Sequence, residues 1–154
     1  MLHTLFQAYA ASPLSHAIRG SSWAFAIIEM AHLMMLALFG GVLLIGGLGL
    51  TGTAFQFPDR TGAWLSLRRT GLWALAGLVL SGLLMIGSNP MKYYFHTAFR
   101  AKMVLLAFAV IASAIVERGI RPGAVRPILT NFAVATALLL WFAVAVAGRM
   151  IGFF

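Results

Sequence analysis

Five ionisable side chains lie within or directly beside the hydrophobic segments of this sequence: Glu29, His32, His96, Arg100 and Lys102. A charged group inside a membrane is costly, so residues of this kind are retained for a partner or a function. Glu29 and His32 are three residues apart, and on a helix they project from one face about one turn apart. These five residues form the candidate cofactor-binding set.

The two histidines of this set predict a b-type haem. His32 and His96 fall near the starts of the first and third hydrophobic segments, which cross a membrane in the same direction, so the imidazoles are expected at similar depth. Two imidazoles can serve as the axial ligands of haem iron, and the two cations that follow His96 could pair with the propionates. Gly40 and Gly47, deeper in the first segment, would leave room for a flat macrocycle.

A structural role accounts for the same residues without a cofactor. Glu29 and His32 would then hydrogen-bond each other, or Thr130 and Asn131 of the last hydrophobic segment. His96 would be one member of an interfacial aromatic belt. Both interpretations stay open at the level of the sequence.

The composition requires a lipid environment for whatever positions these residues. Of 154 residues, 62% are hydrophobic and only 9% charged, which is more apolar surface than a soluble domain of this size could bury. Cysteine is absent, so disulfides and thiolate ligands are excluded. The 11 Lys and Arg residues flank apolar runs, a pattern that indicates contact with lipid phosphates rather than with nucleic acid.

The hydrophobic pattern predicts one all-α domain over 1–154, an integral membrane four-helix bundle. A short interfacial helix at about 2–11 precedes spans at about 23–50, 67–86, 97–116 and 128–148. Ser12 and Pro13 are typical of an N-cap followed by proline at the first helical position. Backbone groups in lipid must pair internally, so the spans have to be helices.

An even number of spans places both termini on one side of the membrane. The basic residues divide into Arg60, Arg68, Arg69, Arg118, Arg121 and Arg126 on one side, and Arg19, Lys92, Arg100, Lys102 and Arg149 on the other. Because cytoplasmic loops carry the excess of basic residues, this count favours periplasmic termini in the bacterial inner membrane.

Two stretches of the sequence resemble a bacterial family of small, uncharacterised four-helix membrane proteins. Residues 12–33 follow the family pattern S-P-L-x-x-A-I-R-x-S-x-W-x-F-P-x-I-E-x-x-H-L at most positions. Residues 93–103 resemble its Y-Y-x-N-P-A-F-R-x-K-M segment. The resemblance implies the four-helix fold, and it extends more remotely to copper-resistance D-type membrane proteins and b-type cytochrome bundles, which implies haem.

The residues of the candidate set match this family unequally. Four of them occupy family positions: Glu29, His32, Arg100 and Lys102. His96 replaces the asparagine of the usual Asn-Pro pair, so the resemblance does not supply a second iron ligand. The acidic D-L-R motif that follows the first span in the family is replaced by 47–50, G-L-G-L.

Two functional hypotheses follow. In the first, the protein binds haem b and transfers electrons between quinone and a partner. In the second, it is an accessory subunit that stabilises a larger membrane complex and needs no catalytic residue. The expected partners are the lipid bilayer and other membrane subunits or further copies of the chain, with quinone under the first hypothesis. No phosphate loop, zinc-binding helix or Ser-His-Asp set is visible, although whether the protein is an enzyme stays open.

Overall fold

The computed structural model describes residues 2–52, 57–95, 97–119 and 127–150, and in these ranges every regular element is an α-helix. The all-α prediction is therefore confirmed. The helices are α1 (Leu2–Ala10), α2 (Pro13–Gly20), α3 (Ser22–Thr51), α4 (Arg60–Ile86), α5 (Pro90–Phe95), α6 (Thr97–Gly119) and α7 (Pro127–Met150).

Four of these helices, α3, α4, α6 and α7, are long and apolar enough to cross a membrane. The longest, α3, has 30 residues. At 1.5 Å per residue it extends about 45 Å, against a hydrocarbon layer of about 30 Å. The outward faces are apolar, with Trp23, Trp73 and Ile128 exposed by 78%, 72% and 86%. The protein is thus a multi-pass membrane bundle whose outer surface suits lipid.

The bundle consists of two helical hairpins. α3 packs along α4, α6 packs along α7, and a smaller contact between α3 and α7 joins the two hairpins. At the junction, the Phe39 and Trp141 rings meet edge to face with centroids 4.6 Å apart, beside the fully buried Ala74. Within the described ranges, no comparable backbone contact joins α4 to α6.

Local capping fixes where the spans begin and end. The Ser21 hydroxyl accepts a hydrogen bond from the Ala24 N–H at the start of α3, and Gly52 ends that helix in the left-handed region at φ 68°. Asp59 caps α4 by accepting from the Gly62 N–H at 2.9 Å. Because of this cap, α4 begins at Arg60, earlier than the predicted start of the second span at about 67.

Three short helices pack at the end of the bundle where α3 begins, whereas the sequence predicted a single interfacial helix there. Ser12 caps α2 and Pro13 occupies its first turn, as expected. The Tyr9 hydroxyl donates to the Leu83 carbonyl at 3.0 Å, and the Ser15 hydroxyl donates to the Gly87 carbonyl at 2.7 Å. These two bonds fix α1 and α2 against the last turn of α4.

Replacing Ser15 with alanine is expected to lower the free energy of unfolding by about 1–3 kcal/mol, because the buried Gly87 carbonyl loses its donor. Thermal unfolding in detergent micelles measures the change. The control is Ser66→Ala on α4, where an exposed hydroxyl bonds its own helix at the Gly62 carbonyl. The control should change stability by less than about 0.5 kcal/mol. Equal losses in the two variants would contradict the assignment.

Candidate functional site

His32 lies in the seam between α3 and α4, with its Nδ1 2.8 Å from the Ser81 Oγ. The Ser81 hydroxyl carries one hydrogen, and its shortest contact as a donor is to the Gly77 carbonyl at 2.6 Å. Its oxygen therefore accepts, and the Nδ1–H of His32 donates. The Leu78 carbonyl is close enough to accept from the same imidazole. In the neutral ring this arrangement leaves the lone pair on Nε2, which is the atom that can ligate a metal or take up a proton.

Packing holds the imidazole in that orientation. Ser81 is buried, with only 7% of its surface exposed. The His32 ring lies against α4 at Gly82, where a built Cβ would be in van der Waals contact with its Cε1 at 3.6 Å. The acceptor and the surface against which the ring packs are thus supplied by Ser81 and Gly82, which follow one another on α4.

Two charged groups of the predicted set lie close enough to His32 to act on it electrostatically: Glu29 and Lys102. Glu29 is partly buried and lies one turn before His32 on α3. Lys102 extends from α6 across α7, where a Cβ on Gly148 would lie 3.1 Å from its Nζ. The glycine leaves the space that the lysine side chain occupies.

The other two members of the set are not part of this cluster as described. Arg100, two residues before Lys102 on α6, is exposed, whereas Lys102 is partly buried. His96 lies outside the described residues. The sequence also allowed a hydrogen bond from His32 to Thr130 or Asn131, and this alternative is wrong. Thr130 and Asn131 lie in the first turns of α7, at the opposite end of the bundle, and the partner of His32 is Ser81.

The cluster fits a haem in part. His32 offers Nε2 as an iron ligand, and Lys102 offers a cation for a propionate. Within the described ranges, no three His, Asp or Glu side chains lie close enough together to hold a metal ion directly. A haem needs only axial ligands from the protein. Gly40 has open space beside it, as predicted, but Gly47 does not, because the Val134 Cγ1 would lie 3.1 Å from its Cβ.

A second polar cluster links α4 to α6 near the other end of the bundle. The Trp64 Nε1–H donates to the Glu117 Oε1 at 3.2 Å, and the Arg68 Nε lies 3.3 Å from the Glu117 Oε2. The sequence-based set missed Glu117. A signal was present, since Glu117 is one of only three acidic residues and directly follows an uncharged span on the side where Arg68 was placed.

A cavity of about 200 Å³ adjoins this cluster and is lined by all four spans. Its lining comprises Phe39, Val42, Leu43 and Gly47 of α3; Trp64, Arg68, Gly71, Leu72 and Leu75 of α4; Val110, Ser113, Ala114, Val116 and Glu117 of α6; and Val134, Ala137, Leu138 and Trp141 of α7. The lining residues that are also exposed are Arg68 and Leu72 on α4 and Val110 and Ala114 on α6. The cavity therefore opens sideways between α4 and α6, toward lipid.

Comparison with known proteins places the chain in a family without assigning an activity. No curated protein and no solved structure matches the chain. A model described as a family of unknown function, DUF6644, matches residues 18–154, which include α3 to α7 and the candidate residues at both ends of the bundle. Because the match extends over most of the sequence, the chain belongs to the DUF6644 family.

Proposed function

We propose that this protein is a b-type haem protein of the bacterial inner membrane, in which His32 ligates the iron, and that it transfers electrons between a membrane quinone and a protein partner. The observation that carries the proposal is the 2.8 Å contact between the His32 Nδ1 and the Ser81 Oγ, which occupies Nδ1 and leaves Nε2 as the ring nitrogen available to a ligand. A metal-bound histidine commonly donates its other N–H to a fixed acceptor in this way. When bound, the haem supplies a one-electron couple at a fixed place in the bundle.

The chain's own residues would bind and orient the group. Ser81 would hold the tautomer and the plane of the ring, which packs against α4 at Gly82. Lys102 would pair with a propionate, because a partly buried ammonium group in a membrane protein needs an anionic partner. We assign His96 as the second ligand and periplasmic termini on the sequence arguments alone.

The test is a visible spectrum of the purified protein in its oxidised and dithionite-reduced forms, after expression with ample haem. We expect a Soret band and sharp reduced α bands that His32→Ala abolishes. His16→Ala is the matched control, since His16 is exposed on α2 outside the spans, and it should leave the bands unchanged. Thermal unfolding of both variants shows whether they remain folded. A folded wild-type protein without these bands would refute haem binding.

A second candidate function is that of an accessory subunit in a larger membrane complex. The feature that favours it is a shallow apolar groove of about 450 Å³ on the lipid-facing side of α4, lined by Leu72, Leu75, Ala76, Val79, Leu80 and Leu83. Side chains of a neighbouring transmembrane helix could fill such a groove. Purification in a mild detergent distinguishes the two candidates: a haem-free protein that stays in a larger assembly, and leaves it on Ala76→Trp, would favour the accessory role.

A further inference from the structure

We propose that the cavity between the four spans binds the ring of a membrane quinone, with the isoprenoid tail leaving between α4 and α6. The inference rests on the proposed function, because it assigns a binding site to the quinone of that function. None of the residues of the His32 cluster lines this cavity.

The position of the opening restricts which molecules can enter the cavity. Its four exposed lining residues, Arg68, Leu72, Val110 and Ala114, belong to α4 and α6, which make far less backbone contact with each other than each makes with its hairpin partner. All the other lining residues are buried or partly buried. A ligand therefore enters from the hydrocarbon region of the bilayer and has to be a lipid-soluble molecule.

The volume of the cavity limits the size of its occupant. An apolar protein cavity of about 150 Å³ holds one benzene molecule. The cavity here has a volume of about 200 Å³. One substituted six-membered ring fits this volume, whereas a haem or a phospholipid headgroup with its glycerol does not. The tail of a quinone needs no space inside, because the opening faces lipid.

The polar groups in the cavity wall also favour a quinone. Arg68 uses its Nε–H toward Glu117, and a guanidinium carries four further N–H donors on its two amino nitrogens. Ser113, one turn before Glu117 on the same wall, accepts from the Trp141 Nε1–H at 3.0 Å and gives its own hydrogen to the Ala109 carbonyl at 2.8 Å, so Arg68 supplies the donors. Most of the lining is otherwise apolar. A quinone complements such a wall, because it is a flat apolar ring whose only polar groups are two carbonyl acceptors.

The same features disfavour an anionic phospholipid as the occupant. Arg68 already has Glu117 as a counter-charge, so the pair presents little net positive charge to a phosphate. Burying a phosphate in the mostly apolar cavity would also carry a large desolvation cost. The other exposed basic residues at this end, such as Arg69 and Arg118, do not line the cavity.

The tryptophans allow a direct binding measurement. Of the four in the chain, Trp64 and Trp141 line the cavity, while Trp23 and Trp73 are exposed on the outer faces. In the Trp23→Phe, Trp73→Phe background, the remaining fluorescence reports on the cavity. The protein, of known haem content, is placed in phosphatidylcholine nanodiscs and titrated with decylubiquinone. We expect the quinone to quench this fluorescence saturably, whereas a quinone that only partitions into the lipid gives quenching that does not saturate.

Two alanines of α6 provide the variant and its control. Ala114→Phe, introduced into the same background, fills the opening and should weaken decylubiquinone binding at least tenfold. Ala107 is also exposed, lies two turns earlier on α6 and does not line the cavity, so Ala107→Phe should leave the affinity unchanged. Quenching that never saturates, or that Ala114→Phe leaves intact, would overturn the site. Phosphatidylglycerol displacing the quinone at equal concentration would assign the cavity to an anionic lipid instead.

The outcome is separable from that of the haem test. Saturable binding in a protein without α bands would retain the quinone site and refute the haem. Haem bands without saturable binding would retain the haem and refute the site.

Discussion

Replacing Gly46 with alanine is expected to lower the free energy of unfolding by about 1–3 kcal/mol. A Cβ at this position would lie 2.8 Å from the Cε3 and Cζ3 atoms of the Trp64 ring, closer than van der Waals contact allows. Trp64 is buried and its Nε1–H is bonded to Glu117, so the ring cannot move without weakening the link between α4 and α6. The substitution thus combines overpacking with a weakened hydrogen bond.

Gly40→Ala is the matched control for this prediction. It makes the same change on the same helix, but a Cβ there meets nothing within 4 Å. Alanine favours a helix over glycine by about 1 kcal/mol, so this variant should be neutral or more stable. Unfolding of both variants in the same detergent, followed by circular dichroism, gives the comparison. If Gly46→Ala were as stable as Gly40→Ala, the close approach of α3 and α4 at Trp64 would be wrong.

Ser81→Ala has the second large expected effect. It removes the Ser81 oxygen and leaves the Leu78 carbonyl as the remaining acceptor beside the ring, so the imidazole is held less firmly and can rotate and exchange tautomers more freely. Loss of an outer-shell partner of this kind lowers the affinity for a metal group about 10- to 100-fold. Haem affinity should fall by that factor, and the protein should remain folded, because the Gly77 and Leu78 carbonyls keep their helical bonds.

A second measurement tests the same bond without haem. Nitrogen-15 chemical shifts of the imidazole should show a protonated Nδ1 and an unprotonated Nε2 for His32 in the haem-free wild type, and a mixture in Ser81→Ala. Thr136→Ala is the control, since the Thr136 hydroxyl makes the same kind of bond to its own helix, at Phe132, on the other hairpin. An unchanged tautomer in Ser81→Ala would show that Ser81 does not fix the ring.

The fold was largely predictable because lipid leaves the backbone few alternatives. Long uncharged runs in hydrocarbon must form helices, and Ser12 with Pro13 marked the start of α2 in the sequence itself. The three-helix arrangement at the end of the bundle was less predictable. It depends on Tyr9 and Ser15 reaching carbonyls of α4 more than seventy residues away, and no local pattern contains that pairing.

The candidate site was predictable only as a set of residue types. The sequence drew attention to His32 because an imidazole in a span is rare, and to Lys102 for the same reason. Its partner Ser81 is an ordinary small residue 49 positions away, so only the packing of α4 against α3 identifies it. Glu117 was missed because it follows the third span rather than interrupting it, and its importance appears only when α6 lies opposite Trp64 and Arg68. The haem and its second ligand remain predictions.

The ion pair between Arg68 and Glu117 also bears on how the chain assembles. Each charge belongs to a different hairpin, so this ion pair forms only once the hairpins dock, and until then each ionised group lacks that partner at some cost beside the bilayer. A hairpin docked in the wrong rotation would keep that penalty, and the correct docking removes it for both. The ion pair therefore favours the correct docking of the second hairpin on the first.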